Sequence, residues 1–224
     1  MADKFALVYG SFNQGDCKQD VNKIYEAFPH INGLEVIEPC CGNEFNFDGL
    51  KDCKFLVVCT STMYGYPPKN EWNFAYQLLR GATEFPGCLS HLQHAVFGNG
   101  DNEKTSLTYM NCPRYIDILL EHCGSRRFYA RGERHEPHAD LGIEDCNIET
   151  WTKGMWLAVP SALEEGPRAA PIPWDGLWEK HENKRGEEAK HRVIPFALDD
   201  LKKKMNGKLP TPPAMFTEYV WAKL

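Results

Sequence analysis

Apolar runs and amphipathic segments alternate along the first two thirds of the chain. Five short runs of apolar and β-branched residues predict strands, because strands buried on both faces of a parallel sheet carry few polar positions. These runs lie at residues 4–9, 34–37, 55–59, 94–97 and 127–130. The segments that follow four of them have apolar residues three and four positions apart, which predicts helices with one buried face.

This alternation predicts a single sheet. Right-handed crossovers between parallel strands place the helices on both of its faces. We therefore expect residues 1–165 to form an α/β domain, built on a doubly wound, five-stranded parallel sheet with the strand order 2-1-3-4-5.

The composition of the chain changes at residue 166. A Pro-rich segment is followed by a charged run and by short stretches that contain aromatic residues. We see no second core in this part of the chain. We expect residues 166–224 to form a C-terminal extension that packs on the domain or on a partner, and a homodimer through the extension is one such arrangement.

Three polar loops that contain glycine follow the first, third and fourth strands, at residues 10–16, 60–70 and 98–109. These strands are neighbours in the order 2-1-3-4-5. Their loops would converge at the topological switch point, where open α/β sheets bind ligands. Loop 60–70 combines hydroxyl and backbone donors with two tyrosines, which suits a planar, polar ring system better than a metal ion.

Charge and composition narrow the classes of function. The net charge is −6, and residues 1–165 hold 14 Lys and Arg against 23 Asp and Glu. An acidic body argues against a nucleic-acid partner and is compatible with steering toward a basic protein. No apolar run reaches the roughly 18 residues of a membrane span, and the first residues lack the form of a signal peptide. We therefore predict a cytoplasmic protein.

Cysteine and histidine patterns indicate neither a disulfide framework nor a metal. The nine cysteines are irregularly spaced, without a C-x-x-C, and in a reducing compartment they are typical core thiols. Two H-x-x-H patterns occur, at His91/His94 and His135/His138. No cysteine or carboxylate set completes a tetrahedral site around either of them, so we predict no metal.

Several stretches, in the right order, resemble a known family. Residues 8–11 read Val-Tyr-Gly-Ser, residues 60–65 read Thr-Ser-Thr-Met-Tyr-Gly and continue to Pro-Pro-Lys-Asn, and residues 95–100 read Ala-Val-Phe-Gly-Asn-Gly. The later helices at residues 114–124 and 144–156 follow the same pattern. Over about residues 4–160 the chain resembles the flavodoxin-like family, closest to the FMN-binding domain of diflavin reductases of the NADPH–cytochrome reductase type.

The resemblance implies that flavin mononucleotide (FMN) is bound, with its phosphate in loop 11–16 at the positive end of the following helix. It places the ring between the second and third loops, with Tyr64 or Tyr66 on one face and Tyr109 or Leu107 on the other. The implied cofactor-binding residues are Ser11, Phe12, Asn13, Gln14, Gly15, Asp16, Thr60, Ser61, Thr62, Met63, Tyr64, Gly65, Tyr66, Asn70, Gly98, Asn99, Gly100, Asp101, Leu107 and Tyr109.

The phosphate loop departs from the family pattern. Gly15 stands one residue later than in the family, and Phe12 and Asn13 replace small hydroxyl residues. Backbone N–H groups can still form a nest for an anion without those hydroxyls. In the second loop, Gly65 tolerates both signs of φ and would allow a backbone carbonyl to turn toward the flavin.

Three functions stay open, and no catalytic residue is assigned. The first is an FMN-binding electron-transfer protein that shuttles electrons between an NAD(P)H-dependent flavin reductase and an acceptor protein; the sequence has no G-x-G-x-x-G for a nicotinamide cofactor. The second is an FMN-dependent NAD(P)H:quinone-type reductase. The third is a flavin-free interaction module, which the altered phosphate loop favours. An electron carrier is favoured over a self-sufficient oxidoreductase.

Overall fold

The structure is a computed structural model that describes residues 2–12, 15–100, 108–135, 147–165 and 193–221. Strands and helices alternate along the chain. In chain order they are β1 (Asp3–Gly10), α1 (Asp16–Glu26), β2 (Leu34–Val36), β3 (Cys40–Cys41), β4 (Cys53–Ser61), α2 (Trp72–Glu84), β5 (Gln93–Gly100), α3 (Asn111–His122), β6 (Arg126–Arg127), β7 (Gly132–His135), α4 (Ile148–Glu165), α5 (Leu198–Lys204) and α6 (Ala214–Trp221). Short 3-10 turns, Phe47–Asp52 and Lys69–Glu71, precede β4 and α2.

All strand pairs in the sheet are parallel, and β1, β4 and β5 form its centre. β4 pairs with β1 on one side and with β5 on the other. Each outer position is shared by two short strands, since β2 and β3 both pair with β1, and β6 and β7 both pair with β5. The order across the sheet is β2-β1-β4-β5-β6, with β3 also beside β1 and β7 also beside β5. Counted as five successive strands this is the predicted order 2-1-3-4-5, and the predicted doubly wound α/β fold is confirmed.

The strands end at other residues than the sequence predicts. β4 continues through Ser61 and β5 through Gly100, because their pairing runs on to the edge of the sheet. Cys40–Cys41, which lies outside the predicted strands, forms β3 beside β1. The predicted fifth strand at 127–130 is wrong in extent: pairing stops after Arg127 and resumes at Gly132, outside the predicted strands.

Packing against α4 explains the break between β6 and β7. The Trp151 Nε1–H donates a hydrogen bond to the Ala130 carbonyl oxygen at 2.8 Å. This carbonyl therefore accepts its hydrogen bond from the indole and not from a neighbouring strand. A Cβ on Gly132 would overlap the rings of Phe97 and Trp151. The chain can therefore rejoin the sheet beneath these rings only at a glycine.

Two apolar cores cover the two faces of the sheet. α1 and α4 pack on one face, where Trp151, Met155 and Val159 are buried as their spacing predicts. α2 and α3 pack on the other face. The eight cysteines within the described residues are all free thiols. Among the same residues, no helix combines the length and the apolar character that a membrane crossing requires.

Residues 193–221 of the C-terminal extension, here called the tail, pack on the α2/α3 face. Five tail side chains are buried in that core: Phe196, Leu201, Met205, Met215 and Phe216. Gln77 donates a hydrogen bond to the Thr211 carbonyl oxygen at 2.8 Å, and Asp48 accepts one from the Met215 N–H at 2.9 Å. The tail therefore contacts its own domain.

The division of the chain at residue 165 and a homodimer through the extension stay predictions. Residues 166–192, with Trp174 and Trp178, lie outside the described residues.

A buried network of charges holds the β5 side of the sheet together. Asp117 on α3 is fully buried, accepts hydrogen bonds from Arg127 and Arg131 at 2.9 Å, and lies 3.1 Å from His94 Nε2. Burial raises the pKa of Asp117, but the His94 hydrogen bond and the two arginine charges outweigh it, so the pKa falls to about 2. This carboxylate joins α3 to β5 and to the interrupted edge strand.

We expect Asp117→Asn to lower the free energy of unfolding by about 3 kcal/mol, because it removes the buried negative charge that Arg127 and Arg131 share. Urea denaturation measures the loss. Glu121→Gln is the matched control: Glu121 also pairs with Arg127, at 2.8 Å, but it is 44% exposed, so its loss costs less than about 1 kcal/mol. Equal losses in the two variants would contradict the assignment.

The stabilisation that the ionised Asp117 gives to the folded protein depends on pH. The folded-state pKa of Asp117 lies below its ordinary value of 3.8. The stabilisation is therefore present above that pH and is lost as pH falls through about 2.

Candidate cofactor-binding site

The carboxyl ends of β1, β4 and β5 lie side by side at one edge of the sheet. Thr60 of β4 is in register with Gly10 of β1 and with Gly98 of β5. The loops that follow these strands therefore start next to each other, as the strand order predicts. This edge is the candidate site.

The first loop is anchored to the second. The Ser11 N–H donates a hydrogen bond to Asn70 Oδ1 at 3.0 Å. The Gly15 N–H donates to the Phe12 carbonyl oxygen at 3.3 Å, which closes the loop just before α1 begins. Ser11 is buried, whereas Phe12 is 55% exposed, so the two residues face opposite environments.

A tight turn at the tip of the second loop presents Tyr64 to solvent. Met63 and Tyr66 exchange backbone hydrogen bonds at 2.8 and 3.0 Å, and φ is +52° at Tyr64 and +86° at Gly65. Positive φ at both central residues defines a type I′ turn. Glycine adopts this conformation readily, but an aromatic residue rarely does. Tyr64, which is 77% exposed, is thus held in a strained conformation, a feature that clusters at ligand sites.

The second and third loops meet behind this turn. The Cys112 N–H donates a hydrogen bond to Thr62 Oγ1 at 2.9 Å. Tyr109 lies against Gly100, and its ring centroid is 5.8 Å from the Arg114 guanidinium carbon. The ring of Tyr109 therefore packs against its own loop and its neighbouring helix.

The predicted site residues differ in exposure. Buried ones are Ser11, Thr60, Gly65, Gly98 and Asn99. Partly buried ones are Gly15, Ser61, Thr62, Met63, Tyr66, Asn70, Gly100 and Tyr109. Exposed ones are Phe12, Asp16 and Tyr64. Four more lie outside the described residues: Asn13, Gln14, Asp101 and Leu107.

Two buried polar atoms at the ends of β4 and β5 have no hydrogen-bond partner among the described residues. They are Ser61 Oγ and Asn99 Oδ1, which belong to residues in register on the two strands. A buried polar atom without a partner costs free energy, so such atoms often mark a place that a ligand or water completes. A hydroxyl that donates and an amide oxygen that accepts fit the phosphate and hydroxyl groups of FMN.

Asn99 also belongs to a buried polar cluster beneath the first loop. Its Nδ2 donates to Asp20 at 2.5 Å and to Cys17 Sγ at 3.4 Å, and Arg134 pairs with Asp20 at 3.0 Å. Burial raises the pKa of Asp20. Burial raises the pKa of the Cys17 thiol well above its usual range, and the nearby negative charge of Asp20 is the second largest cause. The Asn99 nitrogen therefore joins β5 to α1, and only its oxygen is left for a ligand.

A buried acid at this edge was not predicted from the sequence. Glu71 is fully buried and accepts a hydrogen bond from the Thr60 hydroxyl, while its Oε1 has no hydrogen-bond partner in the part of the chain that the structure describes. Burial raises the pKa of Glu71 to about 8, although the Thr60 hydrogen bond lowers it in part. The carboxyl is therefore mostly protonated at pH 7. An acid at a helix start is usually exposed, so no local pattern indicates this burial.

Two histidines of the H-x-x-H patterns, His91 and His94, have side-chain contacts that the structure describes. His94 is buried, with Nδ1 2.9 Å from Ser125 Oγ and Nε2 facing Asp117. His91 Nε2 lies 2.9 Å from the Leu50 carbonyl oxygen. His138 lies outside the described residues, and within them no group of three potential metal ligands is found.

We expect Glu71→Gln to remove a pH dependence of stability. The folded-state pKa of Glu71, about 8, is above its ordinary value of 4.5. The folded protein binds more protons between these values, so the free energy of unfolding of the wild type falls as pH rises, by up to about 1.4 kcal/mol per pH unit. Denaturation from pH 5 to pH 8 should give a shallower fall for Glu71→Gln. The exposed Glu35→Gln should follow the wild type, and parallel curves for all three proteins would refute a buried, protonated Glu71.

Comparisons with known proteins agree with this geometry. A family model described as Flavodoxin matches residues 7–151. The bifunctional cytochrome P-450/NADPH–P-450 reductase 1 of Bacillus subtilis is 39% identical over 45% of this chain. The NADPH-dependent diflavin oxidoreductase 1 of Schizosaccharomyces pombe is 29% identical over 62% of it. The chain spans only 9% and 23% of the lengths of these relatives.

Solved structures share the fold. A short-chain flavodoxin associated with a non-canonical PDU bacterial microcompartment has a TM-score of 0.56 and 20% identity, covering 71% of this chain and 99% of its own. A mutant of the flavodoxin from Pseudomonas aeruginosa has a TM-score of 0.54 and 19% identity, covering 70% and 99%. Flavodoxins and the FMN domains of diflavin reductases bind FMN, the cofactor that the sequence predicts. The family model matches well over half of the residues of this chain, and the chain therefore belongs to the flavodoxin family.

Proposed function

We propose that this chain binds FMN at the carboxyl edge of β1, β4 and β5 and carries electrons between protein partners. The observation that carries the proposal is that the three strand ends from which the loops begin lie side by side. Ser61 Oγ and Asn99 Oδ1 offer unsatisfied hydrogen-bonding capacity there. When bound, FMN supplies the capacity to take up and release electrons.

Each part of the site has its own role in this proposal. Backbone N–H groups of loop 11–16 and the positive end of α1 bind the phosphate. The strained, exposed Tyr64 covers one face of the ring. Glu71, with its pKa raised so that it is protonated at neutral pH, avoids placing a negative charge beside the loop that receives the phosphate.

The electron donor and acceptor in this proposal are proteins: an NAD(P)H-dependent flavin reductase and a separate acceptor. The relatives of the chain support this choice, since their names describe reductases that contain much more than the matched segment. The acidic balance of residues 1–165, with 23 Asp and Glu against 14 Lys and Arg, favours encounter with a basic protein surface.

The purified protein is expected to retain FMN after unbound flavin is removed, with a visible spectrum that differs from that of free FMN. NADPH is then added alone and together with a flavin reductase. Reduction that requires the reductase supports an electron carrier, whereas direct oxidation of NAD(P)H would establish the quinone-type reductase instead. A protein that retains no FMN at micromolar concentration would overturn the proposal in favour of a flavin-free interaction module.

Tyr64→Ala is expected to weaken FMN binding about three- to tenfold, because one aromatic stacking contact contributes about 1 kcal/mol. Stability should change by less than about 0.5 kcal/mol, since Tyr64 is largely exposed. Fluorescence titration and urea denaturation measure the two effects. Tyr25→Ala, at an exposed tyrosine on α1, is the control and should leave affinity unchanged. Equal affinities of Tyr64→Ala and the wild type would remove Tyr64 from the site.

A further inference from the structure

The side chain of Asn111 joins three parts of the chain. Asn111 is the first residue of α3 and is 1% exposed. Its Nδ2 donates hydrogen bonds to the Gly65 carbonyl oxygen at 2.6 Å and to the Ile194 carbonyl oxygen at 2.9 Å. Its Oδ1 accepts one from the Ile194 N–H at 2.6 Å. Both N–H bonds of the amide and its oxygen are therefore engaged.

The two bonds to Ile194 fix the orientation of this amide. If the amide turned over, its oxygen would face the Ile194 carbonyl and its nitrogen would face the Ile194 N–H. Two hydrogen bonds would then become two repulsive contacts between like groups. With the tail in place, the remaining N–H of Asn111 points to Gly65. The backbone of the tail therefore decides that the group facing Gly65 is a donor.

Side chains of the tail hold the next residue of the same turn. The ring centroid of Phe196 lies 5.9 Å from that of Tyr66 and 4.7 Å from that of Tyr115. Lys204 Nζ lies 4.0 Å from the Tyr66 ring centroid, within the range of a cation–π interaction. Tyr66 closes the type I′ turn, so the tail holds two successive residues of the second loop.

These contacts add to the two backbone hydrogen bonds between Met63 and Tyr66 that close the turn. Gly65 permits peptide orientations that other residues avoid, and Tyr64 is strained at φ +52°. The hydrogen bond from Asn111 selects one orientation of the Gly65 carbonyl. A loop that is ordered before a ligand arrives binds it with a smaller loss of conformational entropy.

We propose that Asn111, oriented by the tail, is a positioning residue that holds the Tyr64–Gly65 turn in the conformation that receives the flavin ring. This inference rests on the proposed function and gives the C-terminal extension a part in cofactor affinity. The Gly65 carbonyl accepts the Asn111 hydrogen bond, so turning it toward the flavin would break that bond.

The first test uses the flavin-free, full-length chain. Asn111→Ala should make the backbone amides of Met63 and Tyr66 exchange about tenfold faster with deuterium, because one buried hydrogen bond that stabilises the turn is gone. Gln77→Ala is the matched control, since it also removes a hydrogen bond to the tail. That bond is at Thr211 and not at Ile194, which Asn111 contacts. The Met63 and Tyr66 amides of this variant should exchange as in the wild type.

A second pair of variants tests the tail directly. Ile194→Pro removes the backbone N–H that donates a hydrogen bond to Asn111 Oδ1. Ile194→Ala keeps this N–H and only shortens a side chain that is 39% exposed. Faster exchange at Met63 and Tyr66 in the proline variant alone supports the role of the tail. If Asn111→Ala fails to fold, this pair still decides the question.

FMN titration of the same variants completes the test. Asn111→Ala and Ile194→Pro should raise the dissociation constant about three- to tenfold and shift the separation between the potentials of the first and second electrons, while Gln77→Ala and Ile194→Ala should do neither. If the wild type binds FMN and all variants bind it equally, the inference is overturned and the proposed function stands. If the wild type binds no FMN, the proposed function fails, whatever the exchange rates are.

Discussion

In-register pairing of β1, β4 and β5 is the constraint on which the candidate site depends. Because Thr60 has Gly10 and Gly98 as its neighbours, three loops begin within the width of three strands. Two glycines make the close approach of the helices possible. A Cβ on Gly10 would overlap the Glu71 carboxyl, and a Cβ on Gly98 would lie 2.7 Å from Pro113. Side chains at these positions would push α2 or α3 away from the edge and separate the loops.

Two buried carboxyl groups show how local partners decide charge. Asp117 is held between two arginines and stays ionised, with a pKa near 2. Glu71 is equally buried, but among the described residues the Thr60 hydroxyl alone offsets its burial, and its pKa rises to about 8. Their places in the fold match these states. The ionised acid binds the arginines of an interrupted edge strand, and the neutral acid lies at Gly10, where the loop proposed to receive a phosphate begins.

The tail belongs to the architecture of the site as well as to the core. Phe196 and Phe216 enter the apolar layer over α2 and α3, and the same segment reaches the second loop through Asn111 and Tyr66. A loop tip with a strained tyrosine and a glycine has little intrinsic order. The tail adds contacts to the turn's own hydrogen bonds, directly at Tyr66 and through Asn111 at Gly65.

Apolar periodicity by itself located the three central strands and the helices that cover them, because local patterns report which face of each element is buried. It also located the three loops, since strand ends in a parallel sheet follow from strand order. The motifs at residues 60–70 and 95–100 led to the flavodoxin family and to FMN. These features depend on residues close together in the sequence.

Only the tertiary structure decided the burial of Glu71, the break in the edge strand and the role of Asn111. Trp151 meets the Ala130 carbonyl from 21 positions away, and Asn111 meets Ile194 from 83 positions away. An asparagine at a helix start or a glutamate after a loop suits many environments. Whether such a side chain meets water, a hydroxyl or a distant backbone amide depends on packing, which no local pattern of residues records.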